Sequence, residues 1–212
     1  WREYTKALNR PDSGPETLRQ YHSHYRQFAG WIKQEAATVT TLRDVTPKIA
    51  EEYAQQLVSR GLSANSFNKQ VNFLALLFRV LHAKARMRRD GNPWQGIQRK
   101  RMIPNSRREL TTDELMRVCA AAEGEMRLLF AIGLYTGLRL GDCATLRWCE
   151  VDLRRGSIQR VPNKTARRKG TAVVVPVHAS VRAMLQDIPG TERGDYVLPG
   201  IAASYLHDKS KK

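Results

Sequence analysis

The segment Thr136-Gly137-Leu138-Arg139-Leu140-Gly141-Asp142-Cys143-Ala144-Thr145-Leu146-Arg147-Trp148 sets a guanidinium and a carboxylate three residues apart, just after a glycine. If one helix ends at Gly137 and another begins around Leu138, Arg139 falls in a first helical turn. There its side chain and the free backbone N–H groups can face one phosphate together. Asp142 lies on the same side of that turn, within reach to hold the arginine in one rotamer. Taken bare, an Arg and an Asp at this spacing most often form a surface ion pair, so the pair alone assigns no chemistry. Lys164, followed by Thr165, sits in a hairpin with Arg167, Arg168 and Lys169. By itself that is a basic loop, with Lys169 a second lysine that could serve. The five histidines form no HExxH pattern, and no metal site or cofactor is expected.

The elements that would carry these groups follow from apolar spacing. Before the arginine, Met126 to Tyr135 is apolar on nearly every side, which predicts a helix buried all round. Thr111 and Glu114 stand at capping-box spacing and open the helix before it. After the arginine, Val151-Asp152-Leu153, Ser157 to Val161 and Thr171 to Pro176 read as short strands, with Arg155-Gly156 as a tight turn. Lys164 then lies between the second and third strands. His178 to Asp187 reads as a short helix and Pro189 onward as loop. The first half of the chain is different. Stripes at steps of three and four run through Leu18, Tyr21, Tyr25, Phe28 and Ile32, through Ile49, Tyr53 and Leu57, and through Phe67, Val71, Leu74, Phe78 and Leu81. Ser13 with Glu16, Thr46-Pro47 and Ser63 mark their starts and Gly61 a stop. They describe a small helical bundle ending near the turn Gly91-Asn92-Pro93-Trp94.

Charge points to a partner. Lys and Arg outnumber Asp and Glu 36 to 20, a net +16, and the isoelectric point is near 10.3. Such an excess favours a polyanion, because each neutralised phosphate releases condensed counterions. A membrane surface fits less well, since the basic residues do not gather on one amphipathic helix, and no stretch approaches the roughly 20 apolar residues of a span. Lys84, Arg86, Arg88, Arg89, Arg99, Lys100, Arg101, Arg107 and Arg108 crowd a region that also holds Gly91, Pro93, Gly96 and Pro104. This reads as an interdomain strap lying along DNA, the plainer reading being a solvated charge run. Three cysteines without CxxC spacing fit a reduced, cytoplasmic compartment. The chain opens on Trp1 rather than Met, so a preceding segment is expected and a targeting sequence stays open.

Read whole, Thr136-Gly137-Leu138-Arg139, then Asp142, then Leu146-x-Trp148, resembles the first catalytic-arginine motif of the tyrosine recombinases, the phage-integrase family. Gly61-Leu62-Ser63 and Asn92-Pro93 resemble that family's core-binding domain. Leu110-Thr111 with Glu114-Leu115 resembles the entry to its catalytic domain, and Lys164-Thr165 and Val174-Val175-Pro176-Val177 its small sheet. The resemblance implies a mainly α chain: a SAM-like helical core-binding domain over 1–98, a basic linker over 99–109, and the N-terminal part of an α+β catalytic domain over 110–212. It implies site-specific cleavage and rejoining of double-stranded DNA through a 3′-phosphotyrosine, without metal. Arg139 would bind the scissile phosphate, Asp142 orient Arg139, and Lys164 protonate the leaving 5′ oxygen. Four protomers would act on two duplexes, the two domains of each clamping DNA from opposite sides.

The family's later His-x-x-Arg, its further His or Trp and its nucleophilic tyrosine are not found after Val177. His178 and Arg182 have the wrong spacing, and Tyr196 and Tyr205 come too early. The expectation is a DNA-binding piece without its nucleophile. A decayed, non-catalytic DNA-binding protein and a type IB topoisomerase-like enzyme remain open as alternatives.

Overall fold

The computed structural model describes residues 1–88, 91–103, 108–166 and 170–211. The chain is mainly helical and gathers into two compact units, Trp1–Ser106 and Arg107–Lys212. Arg89, Arg107, Arg167, Arg168 and Lys169 lie outside the described residues. Among the described residues no helix is long and apolar enough to cross a membrane, and no cluster of His, Cys, Asp and Glu could hold a metal ion.

The first unit is built from α1 (Arg2–Lys6), α2 (Pro15–Glu35), α3 (Pro47–Ser59) and α4 (Ala64–Leu81). Thr46 and Ser63 cap α3 and α4 by accepting hydrogen bonds from the Ile49 and Ser66 backbone N–H groups, each a contribution of about 1 kcal/mol. Gly61 stops the approach to Ser63 at φ +68°, a backbone state that glycine adopts without penalty. The start of α2 differs from expectation. Gly14 is the N-cap, with Pro15 at the first helical position, and the Glu16 carboxylate turns to Arg19 instead of to a capping box with Ser13. The short α1 carries no periodic signal of its own; Tyr4, wholly buried among Trp1, Tyr21 and Phe73, holds it in place.

The core is an aromatic-rich seam formed by Phe28, Tyr53, Leu57, Phe67, Leu74 and Phe78, and it extends past α4. Trp94 is completely buried, its ring edge-on to Phe28 and Tyr53 at 5.3 and 6.1 Å. The turn at residues 91–94 is therefore part of the bundle and not its exit. Within this seam Gln70 donates a 2.5 Å hydrogen bond to the Tyr53 hydroxyl, joining α3 to α4, and burial pushes that phenol up to about 12.

The second unit holds α5 (Thr112–Ala121), α6 (Gly124–Thr136), α7 (Leu140–Ala144), strands β1 (Val151–Asp152), β2 (Ser157–Arg160) and β3 (Val173–Pro176), then α8 (Ala179–Gln186) and α9 (Pro199–Lys211). The strands form an antiparallel sheet in order β1-β2-β3, with Ile158 opposite both Val151 and Val175. Asp152 accepts from the Arg154 and Arg155 N–H groups, and Gly156 at φ +63° completes the turn. Helix α6 is not buried all round. Leu128, Leu129 and Ile132 face the core, while Met126, Phe130, Leu134 and Tyr135 are exposed.

Residues 189–211 are not loop. Asp195 to Val197 pair with Leu146 to Trp148, and α9 follows with Leu198 and Ala202 buried. The N-terminus of α9 is capped from a distance. The Glu125 carboxylate accepts from the Gly200 and Ile201 N–H groups at 3.0 and 2.8 Å, which satisfies two orphan donors and places negative charge at the positive end of the helix.

Candidate functional site

Helix α6 ends where the Thr-Gly-Leu-Arg sequence directs. The Thr136 hydroxyl donates to the Ile132 carbonyl (2.6 Å) and accepts from the Leu138 N–H (3.2 Å). Gly137 takes the left-handed state at φ +65° and reverses the chain. Arg139 follows as the N-cap of α7, one position earlier than a first-turn residue. Its carbonyl accepts from the Asp142 and Cys143 N–H groups, and the residue is exposed to solvent. Beneath it, burial pushes the Cys143 thiol up to about 11, the Asp142 carboxylate adding in the same direction.

Asp142 does not hold Arg139. Its carboxylate is 2% exposed, and Oδ1 accepts from Arg160 Nε at 3.3 Å and from the Asn163 N–H at 2.8 Å. The reason is the geometry of the turn. With Arg139 outside the helix as its cap, Asp142 projects inward to the sheet. Arg160 on β2 is nearly as buried, on the same inward face as Ile158. Its remaining donors reach the Thr145 carbonyl (3.0 Å), the Thr145 hydroxyl (2.8 Å) and Glu150 (2.7 Å). Glu150 also accepts from the Arg147 N–H. Asn163 returns to α7 by donating from its side-chain amide to the Gly141 carbonyl and the Thr145 hydroxyl, at 3.2 and 3.3 Å.

The two candidate cations thus stand on segments that are bonded to each other. Lys164 is exposed in a turn that begins at Pro162, whose carbonyl accepts from the Thr165 and Ala166 N–H groups. Its neighbour Asn163 is fixed to the helix that Arg139 caps. The sequence reading missed Arg160. An arginine two residues from Ile158 in an alternating strand points to the core and must find carboxylates there, so a signal was present. Tyr205 also meets this turn: its hydroxyl and Cζ would lie 2.3 and 2.9 Å from a Cβ placed on Gly141, so only glycine fits beneath the ring. Tyr196 bridges to Arg147, whose guanidinium lies 5.3 Å from its ring.

Several of the basic residues marked in the sequence as a strap are engaged within their own unit. Lys84 pairs with Glu3. Arg99 donates to Asn72 Oδ1 (2.7 Å) and to the Ile97 carbonyl, and Lys100 exchanges two 2.8 Å hydrogen bonds with the Asn68 side chain while its ammonium lies over Phe67. Arg99 and Lys100, read from the sequence as the start of a linker, are thus anchored on α4. Arg86, Arg88 and Arg101 are exposed. Arg108 grips Glu114 at 2.5 and 2.7 Å in the second unit, and that contact, with the Thr111 N–H, holds the Glu114 carboxyl down at about 2.

No family model matches the chain. It is 21% identical over 225 aligned residues to a protein described as tyrosine recombinase XerC-like from Caldanaerobacter subterraneus subsp. tengcongensis, covering 93% of this chain and 55% of that one. The curated proteins it resembles are described as tyrosine recombinases and a shufflon-specific DNA recombinase. The chain spans about half the length of the curated relatives it matches. Its fold is that of solved integrases. A lambda integrase dimer bound to a COC′ core site matches with a TM-score of 0.69 at 20% identity, over 99% of this chain and 76% of the other. The Tn1549 transposon integrase in complex with a circular intermediate DNA matches with a TM-score of 0.63 at 16% identity, over 88% and 63%.

Proposed function

We propose that this chain is part of a tyrosine recombinase, binding duplex DNA and supplying part of a site that cleaves and rejoins a phosphodiester through a phosphotyrosine. One observation carries the reading: Arg139 and Lys164, both exposed cations, stand on two segments that Asp142 and Asn163 bond together. Arg139 binds non-bridging oxygens of the scissile phosphate, where its planar fork suits two contacts and offsets the charge developing in the transition state. As a tyrosine oxygen attacks phosphorus, the bond to the 5′ oxygen breaks, and Lys164 Nζ delivers a proton to that departing oxygen. No nucleophile is assigned within these residues, because Tyr196 and Tyr205 serve as packing against Arg147 and Gly141. The exposed Arg86, Arg88 and Arg101, with Arg89 and Arg107 beside them in sequence, supply backbone contacts to DNA. In the whole protein we propose a tetramer on two duplexes, acting in a reduced, DNA-containing compartment.

The test is direct. The chain should bind duplex DNA at micromolar concentration or better at roughly 50 mM salt, with affinity falling steeply as salt rises. Arg101→Glu should weaken binding to all sequences alike. Absence of duplex affinity in fluorescence anisotropy at that salt would remove the reading. A denaturant-resistant DNA adduct mapped to Tyr196 or Tyr205 would overturn their assignment as packing residues.

A further inference from the structure

We propose that Arg160 is a positioning residue for the proton donor: it keeps the Lys164 turn docked on the helix that Arg139 caps, so that both cations address the same phosphate. The inference rests on the roles proposed above for Arg139 and Lys164. Arg160 touches neither of them and would touch no DNA, being 4% exposed beneath the turn.

The argument starts from how its guanidinium is used. Four hydrogen bonds leave it: to Asp142, to the carbonyl and hydroxyl of Thr145, and to Glu150. Three of those acceptors belong to α7 and its C-cap, and the fourth belongs to the turn before β1. A single planar fork therefore ties β2 to both ends of the segment following Arg139, which the single point charge of lysine cannot do. The same Asp142 oxygen that receives Arg160 receives the Asn163 N–H. Arg160 thereby fixes the acceptor that pins the residue next to Lys164. The Thr145 hydroxyl is shared in the same way, donating to the Gly141 carbonyl and accepting from Arg160 and from the Asn163 amide.

The consequence is specific. Buried arginines can act purely as structural cross-links, and then their loss affects every step of a reaction alike. Here the guanidinium is connected to the Lys164 side of the site through Asp142 and Asn163. Loosening it should misplace the proton donor before it disturbs phosphate binding by Arg139, whose turn is also secured by Thr136 and Gly137.

The experiment uses the longer protein of which this chain is read as a part, with two substrates that differ only in the bridging atom, oxygen or sulfur, at the 5′ position of the scissile phosphate. A sulfur leaving group departs as a stable thiolate and needs no proton, so a defect in proton donation vanishes with it. Lys164→Ala is the reference: slow on oxygen, restored on sulfur. Arg160→Lys is expected to slow cleavage of the oxygen substrate about 10²-fold and to cleave the sulfur substrate within about threefold of the parent, with duplex affinity unchanged. The Asn163 N–H should exchange with solvent at least about tenfold faster in Arg160→Lys, while amides of α6 keep their protection. Should Arg160→Lys fail to fold, Asn163→Gly loosens the same turn by removing the side-chain amide that donates to Gly141 and to the Thr145 hydroxyl shared with Arg160, with a defect of about tenfold on oxygen that sulfur again relieves. If Lys164→Ala is restored by sulfur but Arg160→Lys and Asn163→Gly are equally slow on both substrates, or slow on neither, the positioning role is wrong and the general-acid role stands. If Lys164→Ala is not restored, the general-acid role falls, and the positioning proposal falls with it.

Discussion

Gly141→Ala isolates the packing that holds the Arg139 turn. The new methyl would lie 2.3 Å from the Tyr205 hydroxyl oxygen and 2.9 Å from Cζ. Ordinary carbon contacts begin near 3.5 Å, so the rigid ring must retreat by roughly 1 Å or α7 must rise by as much. Overpacking of this kind costs about 1–3 kcal/mol. Gly141 has no left-handed φ and sits inside α7, so alanine returns up to about 1 kcal/mol in helix propensity. The net expectation is a loss of about 1–2 kcal/mol, which for a unit of about 100 residues lowers the thermal midpoint by about 4–16 °C. Calorimetry or circular dichroism reads this directly. Tyr205→Ala supplies the control: in that background Gly141→Ala should be neutral or slightly stabilising, a coupling of more than about 1 kcal/mol between two residues 64 apart in sequence. If Gly141→Ala melts at or above the parent temperature, or loses the same amount without Tyr205, the ring does not brace this turn.

Three further outcomes follow from the same contacts. Asp142→Leu leaves Arg160 with Glu150 as its remaining carboxylate and should cost about 2–4 kcal/mol, somewhat under the usual cost of breaking a buried pair, whereas Arg139→Ala should change stability by less than about 0.5 kcal/mol; equal losses in denaturant melts would return Asp142 to the role of orienting Arg139. Because Arg108 and the Thr111 N–H hold Glu114 down at about 2 in the fold, its stabilising contribution is complete above the unfolded value of about 4.5 and disappears as pH falls towards 2, so the melting difference between parent and Glu114→Gln should be constant from pH 7 to 5 and close below that. With its thiol buried and pushed up to about 11, Cys143 should resist iodoacetamide at pH 8 in the folded chain while exposed Cys149 reacts, as peptide mass spectrometry would show.

Much of this architecture is legible in the sequence. Helices α3, α4 and α5 announce themselves by apolar stripes together with caps that act locally, and the left-handed states at Gly61, Gly137 and Gly156 fall where turns were read. Strand order follows from short antiparallel hairpins. What failed depended on distant partners. Helix α9 has little amphipathic pattern and a glycine in its first turn, and its cap comes from Glu125, seventy-five residues away in sequence. The apolar run in α6 counts hydrophobic residues without saying what is available to cover them, so the all-round burial it predicts is replaced by one buried face. The site shows the same division. The resemblance to the tyrosine recombinases singled out Arg139, Asp142 and Lys164, but not that Asp142 turns from the first to accept from Arg160 and from the Asn163 N–H beside the third.

The cap on α9 and the ring on Gly141 also set a timetable. Tyr205 emerges from the ribosome 64 residues after Gly141, and at about 5–20 residues per second that is a wait of roughly 3–13 s. During synthesis the Arg139 turn is therefore made long before its brace exists. For those seconds Gly141 and the Glu125 carboxylate face solvent, open to whatever else the nascent chain or a chaperone presents. The segment proposed to bind phosphate thus waits for a residue 64 positions further along the chain before it is braced.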